Sequence, residues 1–371
     1  MAHFVGPKSA QLHYNGGMNP GPFGLTVPEL EAWCAERGQP AYRGRQIAVW
    51  MYARRQTRFE AMTDLPAPVR RAWDEECPIR LPQVDLARRS RDGTEKLRLR
   101  LLDGEAVETV IMPMRPAEGE KAERITACLS TQVGCGLGCT FCATATLGLK
   151  RNLTSGEIVA QLYIAQSRVA PRRLTNVVFM GMGEPLHNLE AVSQAVRVMT
   201  GQPGMDLGPR RITVSTVGLV PEIYELADSG LGVKLAISLN ATSDRERSRT
   251  MPVNRRYPLD KLMEAAKYYA RAIDNRITFE YVVLAGENDS EADARRLAKL
   301  IHGVPCKINL IPYNPSSLLE FSRPAKESLN AFRDWLYPMC PAVTVRYSKG
   351  LDIDAACGQL VAGAAGGSRV A

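Results

Sequence analysis

The pattern of apolar and polar positions divides the chain into stretches of different period. Residues 24–82 read as helical. "TVPELEAWCAERG" opens with Thr26 three residues ahead of Glu29, a capping box, and stops at Gly38. "RGRQIAVWMYARRQTRFEAM" puts Ile47, Trp50 and Met51 on one helical face and Arg43, Arg54, Arg55 and Arg58 among the polar positions. "APVRRAWDEEC" predicts a third short helix. Across 83–125 the period shortens to two. "EKLRLRLLDGEAVETVIMPM" alternates apolar and polar residues around Asp103-Gly104, which predicts a small linking β hairpin.

From 126 to 350, strand-like runs alternate with helical ones: "ITACLSTQ", "NVVFMGMG", "RITVSTVG", "VKLAISLN", "RITFEYVVLAG", "KINLIPYN" and "VTVRYSKG". "TSGEIVAQLYIAQSRV" between the first two begins with a second capping box, Thr154 to Glu157. Such alternation predicts an α/β fold with a parallel sheet and crossover helices. Several strands end at small or polar residues: Gly181, Ser215, Ser238 and Asn314. Ligands of parallel α/β folds sit at the carboxyl ends of strands, so these four point to one shared site. A last segment, 351–371, carries Cys357 and closes with "GAAGGSRVA", expected to fray.

Composition narrows the class. A chain of 371 residues buries one large core, or one core with a small appendage. No apolar run approaches the length of a membrane span, so no membrane partner is expected. Residues 1–23 lack a charged start followed by an apolar run; they read as a disordered leader, and Met18 is an alternative start. A cytoplasmic location is therefore expected, where thiols stay reduced. Nine cysteines there argue for metal binding or catalysis, and an odd count excludes complete internal pairing. The net charge of +8 suits a polyanionic partner but does not by itself separate an RNA-binding protein from an enzyme of small substrates.

The cysteines carry the most specific signal. "ACLSTQVGCGLGCTFCATATLG" places Cys128, Cys135, Cys139 and Cys142 within fifteen residues. A structural zinc with Cys128 as fourth ligand is one reading, although zinc sites usually pair two Cys-x2-Cys hooks and only one is present. The other is an iron–sulfur cluster. Thiolates at x3 and x2 spacing on a loop after a strand supply three ligands and leave a fourth iron open.

"CGLGCTFC" resembles the cluster motif of the radical S-adenosylmethionine superfamily. That resemblance implies a partial (β/α)6-type barrel, one 4Fe-4S cluster on Cys135, Cys139 and Cys142, and S-adenosylmethionine chelated at the open iron. It also calls for a glycine-rich stretch ending in an acid after the second strand. "FMGMGEPLHN" supplies Gly181, Gly183 and Glu184, a carboxylate suited to an ammonium. Alone, that stretch is also an ordinary strand-to-helix turn.

Together with "RRITVSTVG", "NLIPYNP" and "DIDAACGQL", these stretches resemble the bacterial dual-specificity RNA adenine-C2 methyltransferases over residues 24–360. The resemblance implies methylation of adenosine C2 in large-subunit rRNA and in tRNA, with two S-adenosylmethionine molecules per turnover. It implies that Cys357 is methylated by the first cofactor, that its methyl group is activated by the second and joined to the base, and that Cys128 resolves the adduct as a disulfide. It further implies an electron donor such as flavodoxin or ferredoxin and Glu108 as a proton acceptor. Ser215, Ser238, Leu239, Asn240 and Asn314 match cofactor-contacting positions. Asn240 departs from the family pattern, which has histidine there, and asparagine carries no proton. Nothing in the sequence demands more than a monomer. Arg43 to Arg71, with Trp50 and Tyr52, are candidate RNA contacts, or a solvated helical face. A buried cysteine is the plainer reading of Cys357, and a salt-bridge partner that of Glu108. C8 methylation, a radical activase of a partner protein, and a non-enzymatic RNA-binding redox sensor remain as alternative functions.

Overall fold

The computed structural model describes residues 21–114, 124–340 and 342–362. The chain begins with a helical layer: α1 (Val27–Glu36), α2 (Arg43–Ala48) and α3 (Ala67–Glu76). The Thr26 capping box forms, with the Thr26 N–H donating to Glu29 Oε2 at 2.7 Å. Trp33, Phe59 and Trp73 bind the layer together: Trp73 meets Trp33 at 4.8 Å and Phe59 at 5.4 Å, both edge-on. Residues 21–23, expected to belong to a disordered leader, form a turn whose Phe23 packs against Tyr52 and Tyr163. The rest of the expected leader and the tail 363–371 lie outside the described residues.

The long second helix expected from the sequence is interrupted. After α2 the chain widens into a π turn, Val49–Ala53, and stops where Arg55 takes a left-handed conformation. A wide turn at this point is compatible with burying both Met51 and Tyr52. Tyr52 is thereby removed from the candidate RNA surface. Its hydroxyl donates to the Leu25 carbonyl at 2.8 Å and accepts from the Gly24 N–H at 3.0 Å.

Three antiparallel strands follow, β1 (Gln83–Arg89), β2 (Glu95–Arg100) and β3 (Ala106–Met114), with the expected Asp103-Gly104 turn between β2 and β3. They form no separate linking sheet. β3 pairs antiparallel with β4 (Arg124–Cys128), and β4 is the first strand of the parallel sheet. A short ribbon, β5 (Gln132–Gly134) and β6 (Leu149–Asn152), frames the cysteine loop and leads into α4 (Ser155–Val169). Strands and helices then alternate: β7 (Asn176–Phe179), α5 (Leu189–Thr200), β8 (Ile212–Thr216), α6 (Val220–Asp228) and β9 (Lys234–Ser238). Next come α7 (Asp244–Thr250), α8 (Leu259–Ala272), β10 (Ile277–Val283), α9 (Glu291–Leu300), β11 (Cys306–Pro312), α10 (Lys326–Leu336) and β12 (Val343–Val345).

The ten-stranded sheet runs β1-β2-β3-β4-β7-β8-β9-β10-β11-β12 and does not close on itself. β4 to β12 within it are parallel, as the alternation predicted. Buried faces such as Ile277, Phe279, Tyr281 and Val283 pack under the helices, whose apolar stripes complete the core. No helix among the described residues is long and apolar enough to cross a membrane.

Candidate active site

The carboxyl ends of the parallel strands line a cavity that opens to solvent. Cys135, Cys139 and Cys142 line one wall. The loop bearing them is pinned at both ends. The Cys135 N–H donates to Gly148 O at 2.8 Å, and the Thr140 N–H to Thr250 O at 3.0 Å. Burial pushes the Cys135 thiol up to about 11 and raises Cys139 well above the usual thiol range. Such thiols ionise when cations are bound to them.

The four strand-end residues singled out in the sequence, Gly181, Ser215, Ser238 and Asn314, all reach this cavity. The glycine stretch after β7 fits closely against the cysteine-loop approach. A Cβ on Gly181 would lie 2.7 Å from Leu129 O, and one on Gly183, at φ +98°, 2.6 Å from the Gln132 side chain. The two segments join through Gly181 N–H to Leu129 O, Met182 N–H to Ser130 Oγ and Glu184 N–H to Gln132 Oε1. Glu184 is thus aimed into the cavity while its carboxylate accepts from Leu186 N–H at 3.1 Å and Val217 N–H at 2.9 Å. Burial nevertheless pushes its pKa up to about 7.

Asn240 also lines the cavity, and its backbone is left-handed at φ +58°, a conformation asparagine tolerates. Its Oδ1 accepts from Val282 N–H at 2.8 Å, so its acceptor ties β9 to β10. Leu239 does not line the cavity. Its side chain is in the core, and its carbonyl accepts from Arg247 Nε at 3.1 Å.

Three buried polar atoms in the walls have no hydrogen-bond partner: Glu280 Oε2, Tyr313 Oη and Asn314 Oδ1. Unpartnered buried groups are costly, and three facing one cavity mark it as built for a polar ligand. Three thiols beside an amine-seeking carboxylate fit an iron–sulfur cluster with S-adenosylmethionine. A zinc site held by all four neighbouring cysteines does not fit. Cys128 lies outside this cavity, and among the described residues no three thiol, imidazole or carboxylate groups are gathered around a single ion position.

A second cavity adjoins the first and shares Met180, Ile311, Cys357 and Leu360 with it. Cys128 and Cys357 both line it, although 229 positions (357 minus 128) separate them in the chain. Cys357 lines the first cavity as well, so its thiol stands at the junction. Burial pushes Cys128 up to about 12; the Cys357 thiol is also raised by the protein packed around its sulfur although the residue as a whole is exposed, and the Arg346 guanidinium opposes both shifts. Nine free thiols are present and no disulfide links this pair. The chain return is secured by Asn314 Nδ2, which donates to Cys357 O at 3.1 Å, and by the Ala143 N–H, which donates to Gly358 O at 2.8 Å.

Glu108 lines neither cavity. It is buried, and its Oε1 lies 3.2 Å from Lys96 Nζ while its Oε2 accepts from Val361 N–H at 2.9 Å. The salt-bridge alternative for this residue is what the side chain makes.

Four residues at or beside the site were not singled out in the sequence, although Tyr313 stands within "NLIPYNP". Glu280, Tyr313 and Arg346 line the cavities. Arg247 is fully buried and donates to the carbonyls of Val217, Ser238 and Leu239, holding the ends of β8 and β9 in place. Burial lowers its pKa to about 10. Acid and base within the apolar runs "RITFEYVV" and "VTVRYSKG" were the available hints for Glu280 and Arg346. Nothing marks Arg247 among its neighbours in "DRERSRT".

An open parallel sheet with three thiols and an acid at its carboxyl ends defines a radical S-adenosylmethionine enzyme, and the superfamily model matches residues 129–298. A second family model, the ribosomal RNA large subunit methyltransferase N-terminal domain, matches residues 23–79. The dual-specificity RNA methyltransferase RlmN of Syntrophotalea carbinolica is 45% identical over 336 residues, covering 91% of this chain and 88% of its own. That of Geobacter sulfurreducens is 45% identical, covering 91% of each. A solved radical SAM methyltransferase from Sphaerobacter thermophilus superposes with a TM-score of 0.87 at 46% identity, covering 92% of this chain and 99% of its own. The chain therefore belongs to the RlmN family of dual-specificity RNA methyltransferases.

Proposed function

We propose that the protein methylates carbon 2 of adenosine in large-subunit rRNA and in tRNA, with Cys357 carrying the methyl group and Cys128 resolving the adduct. The observation that carries this reading is the place of Cys357 between a cavity with three clustered thiols and one holding a second free thiol. Cys135, Cys139 and Cys142 would hold one 4Fe-4S cluster. When bound, that cluster would supply an electron to S-adenosylmethionine and so a deoxyadenosyl radical able to remove a hydrogen atom.

Glu184 pairs with the ammonium of the cofactor's methionine. Ser215, Ser238 and Asn314 offer hydrogen bonds from the strand ends, and the free Asn314 Oδ1 and Tyr313 Oη gain partners. C2 of adenine is electron-poor and does not attack a sulfonium methyl, which explains a protein thiol as carrier. Cys357 takes a methyl group from one cofactor molecule and presents it at the junction of the cavities. After loss of hydrogen the S-methylene carbon bonds to C2, tethering Cys357 to RNA. Cys128 then attacks the Cys357 sulfur. The S–C bond to the RNA breaks, the new methyl group takes up a proton, and the C2 hydrogen leaves as a proton. One electron passes overall to a one-electron acceptor of the iron–sulfur or flavin class, and a Cys128–Cys357 disulfide remains. An external two-electron reductant restores the thiols, and a flavodoxin- or ferredoxin-type donor feeds the cluster.

The target base must leave its stack to reach this pocket. Arg45, Arg54, Arg58 and Arg71 are exposed on the helical layer and suit phosphate contacts. We assign one protomer as the working unit. The test is Cys128→Ala isolated from growing cells. Mass spectrometry after nuclease digestion should find an RNA fragment joined to Cys357, with the bond at adenosine C2. A bond at C8, or no adduct in a variant with an intact cluster, overturns the reading.

A further inference from the structure

The buried Lys96–Glu108 pair lies away from both cavities, yet each partner's second contact falls on the same short segment. Lys96 on β2 and Glu108 on β3 are diagonal neighbours across the hairpin, since Lys96 faces Val110. Lys96 Nζ, besides meeting Glu108 Oε1 at 3.2 Å, donates to the Asp354 carbonyl at 2.9 Å. Glu108 Oε2 accepts from the Val361 N–H at 2.9 Å. Cys357 lies between those two attachment points. Both side chains are less than a tenth exposed.

A buried ion pair gives little net stability, because desolvation offsets the attraction, and an apolar pair of similar volume does as well. What an apolar pair cannot do is bond two backbone groups seven residues apart in the chain (354 and 361). The same three antiparallel strands, β1 to β3, make further contacts with the C-terminal segment nearby. Asp92 accepts from the Gly350 N–H at 3.0 Å, and Lys349 Nζ donates to Pro113 O at 2.6 Å. Gly350 is left-handed at φ +65°, and a Cβ on it would meet Ala355 at 2.8 Å.

We propose that Lys96 and Glu108 form a clasp that positions the Cys357 loop over the cavity junction, making both of them positioning residues in place of a proton-transfer role for Glu108. The clasp couples hydrogen removal to methyl delivery: a loosened loop leaves Cys135, Cys139, Cys142 and Glu184 in place but carries Cys357 out of register. The consequence for coupling rests on the role proposed above for Cys357; the clasp itself does not.

Two readouts separate these levels. Amide hydrogen exchange at 351–362 reports the clasp without reference to activity. The ratio of deoxyadenosine formed to RNA methylated reports coupling. In Lys96→Met/Glu108→Leu, with helix content and iron content retained, exchange at 351–362 should quicken about tenfold or more and the ratio should rise by a similar factor. Glu108→Gln keeps an acceptor for Val361 and should fall between the double variant and the parent in both readouts. It also serves if the double variant does not fold. Loss of all methylation in Glu108→Gln with unchanged exchange and unchanged deoxyadenosine formation would overturn the proposal and make Glu108 an acid–base group. Unchanged exchange in both variants would overturn the clasp. Faster exchange with an unaltered ratio would overturn the coupling while leaving the clasp.

Discussion

The two cavities meet at Cys357 but are built differently. The first is walled by the carboxyl ends of parallel strands, with thiols supplied by one loop of eight residues, 135–142. The second is walled by β3, β4 and the C-terminal segment, with its two thiols from distant parts of the chain. The first rests mainly on what any open parallel sheet offers, strand ends and a loop between them, with Cys357, Gly358 and Leu360 of the C-terminal segment closing one side. The second required an antiparallel wing on one edge of that sheet and a chain return to lie against it. On the proposed function, the cofactor chemistry rests on the parallel-sheet part of the fold, and the choice of acceptor on the antiparallel strands and chain return beside it.

Substitutions in each cavity should separate them. The largest effect is expected from Cys357→Ala, which should lower methyl transfer by roughly three orders of magnitude or more while iron content is unchanged. Cys139→Ala should lose methyl transfer and iron together, read by label incorporation and by iron assay. If Cys357→Ala also loses its iron, the two cavities are one unit and the contrast fails.

Next in size is Arg247→Met, which leaves the carbonyls of Val217, Ser238 and Leu239 without their charged donor. Denaturant unfolding should show a loss on the order of 3 kcal/mol. Cofactor affinity should weaken with it, because the strand ends of the first cavity lose their register.

The Glu184 carboxyl makes a pH prediction for the first cavity alone. Its pKa is pushed up to about 7 by burial, against the bonds from Val217, Thr216 and Leu186. A raised carboxyl holds a proton more tightly folded than unfolded. Its contribution to stability is therefore full below the ordinary carboxylate range and is lost as pH rises through 7. An ammonium ligand favours the ionised form, so affinity for S-adenosylmethionine should rise with pH toward 7 and level off above it. Titration calorimetry in Glu184→Gln should show weaker binding with that slope removed.

The smallest effect is expected from Thr154→Ala, which removes an N-cap whose Oγ1 accepts from Glu157 N–H at 3.1 Å. It touches neither cavity and should cost about 1 kcal/mol of stability with the product ratio unchanged.

Much of this was legible in the chain because it is coded locally. Both capping boxes, the Asp103-Gly104 turn, the cysteine loop and the glycine–acid stretch depend on residues a few positions apart, whose spacing dictates local geometry. The convergence of Gly181, Ser215, Ser238 and Asn314 followed from strand direction, since parallel strands put their carboxyl ends on one side. The interruption of the helix after Ala48, the burial of Tyr52 and the loss of Leu239 into the core did not follow. Each depends on which neighbour claims a side chain, and period alone is silent on that.

By itself the sequence determined most of the strands and helices, the parallel direction of the sheet and the thiol-bearing loop. Only the tertiary structure decided that Cys128 and Cys357 share a wall, that Arg247 holds the strand ends, and that Glu108 reaches Val361 instead of the cavity. The reason is physical. A buried charge takes its role from the partners that surround it; Arg247 finds them on the neighbouring strand ends, and Glu108 finds its backbone partner, Val361, 253 residues away.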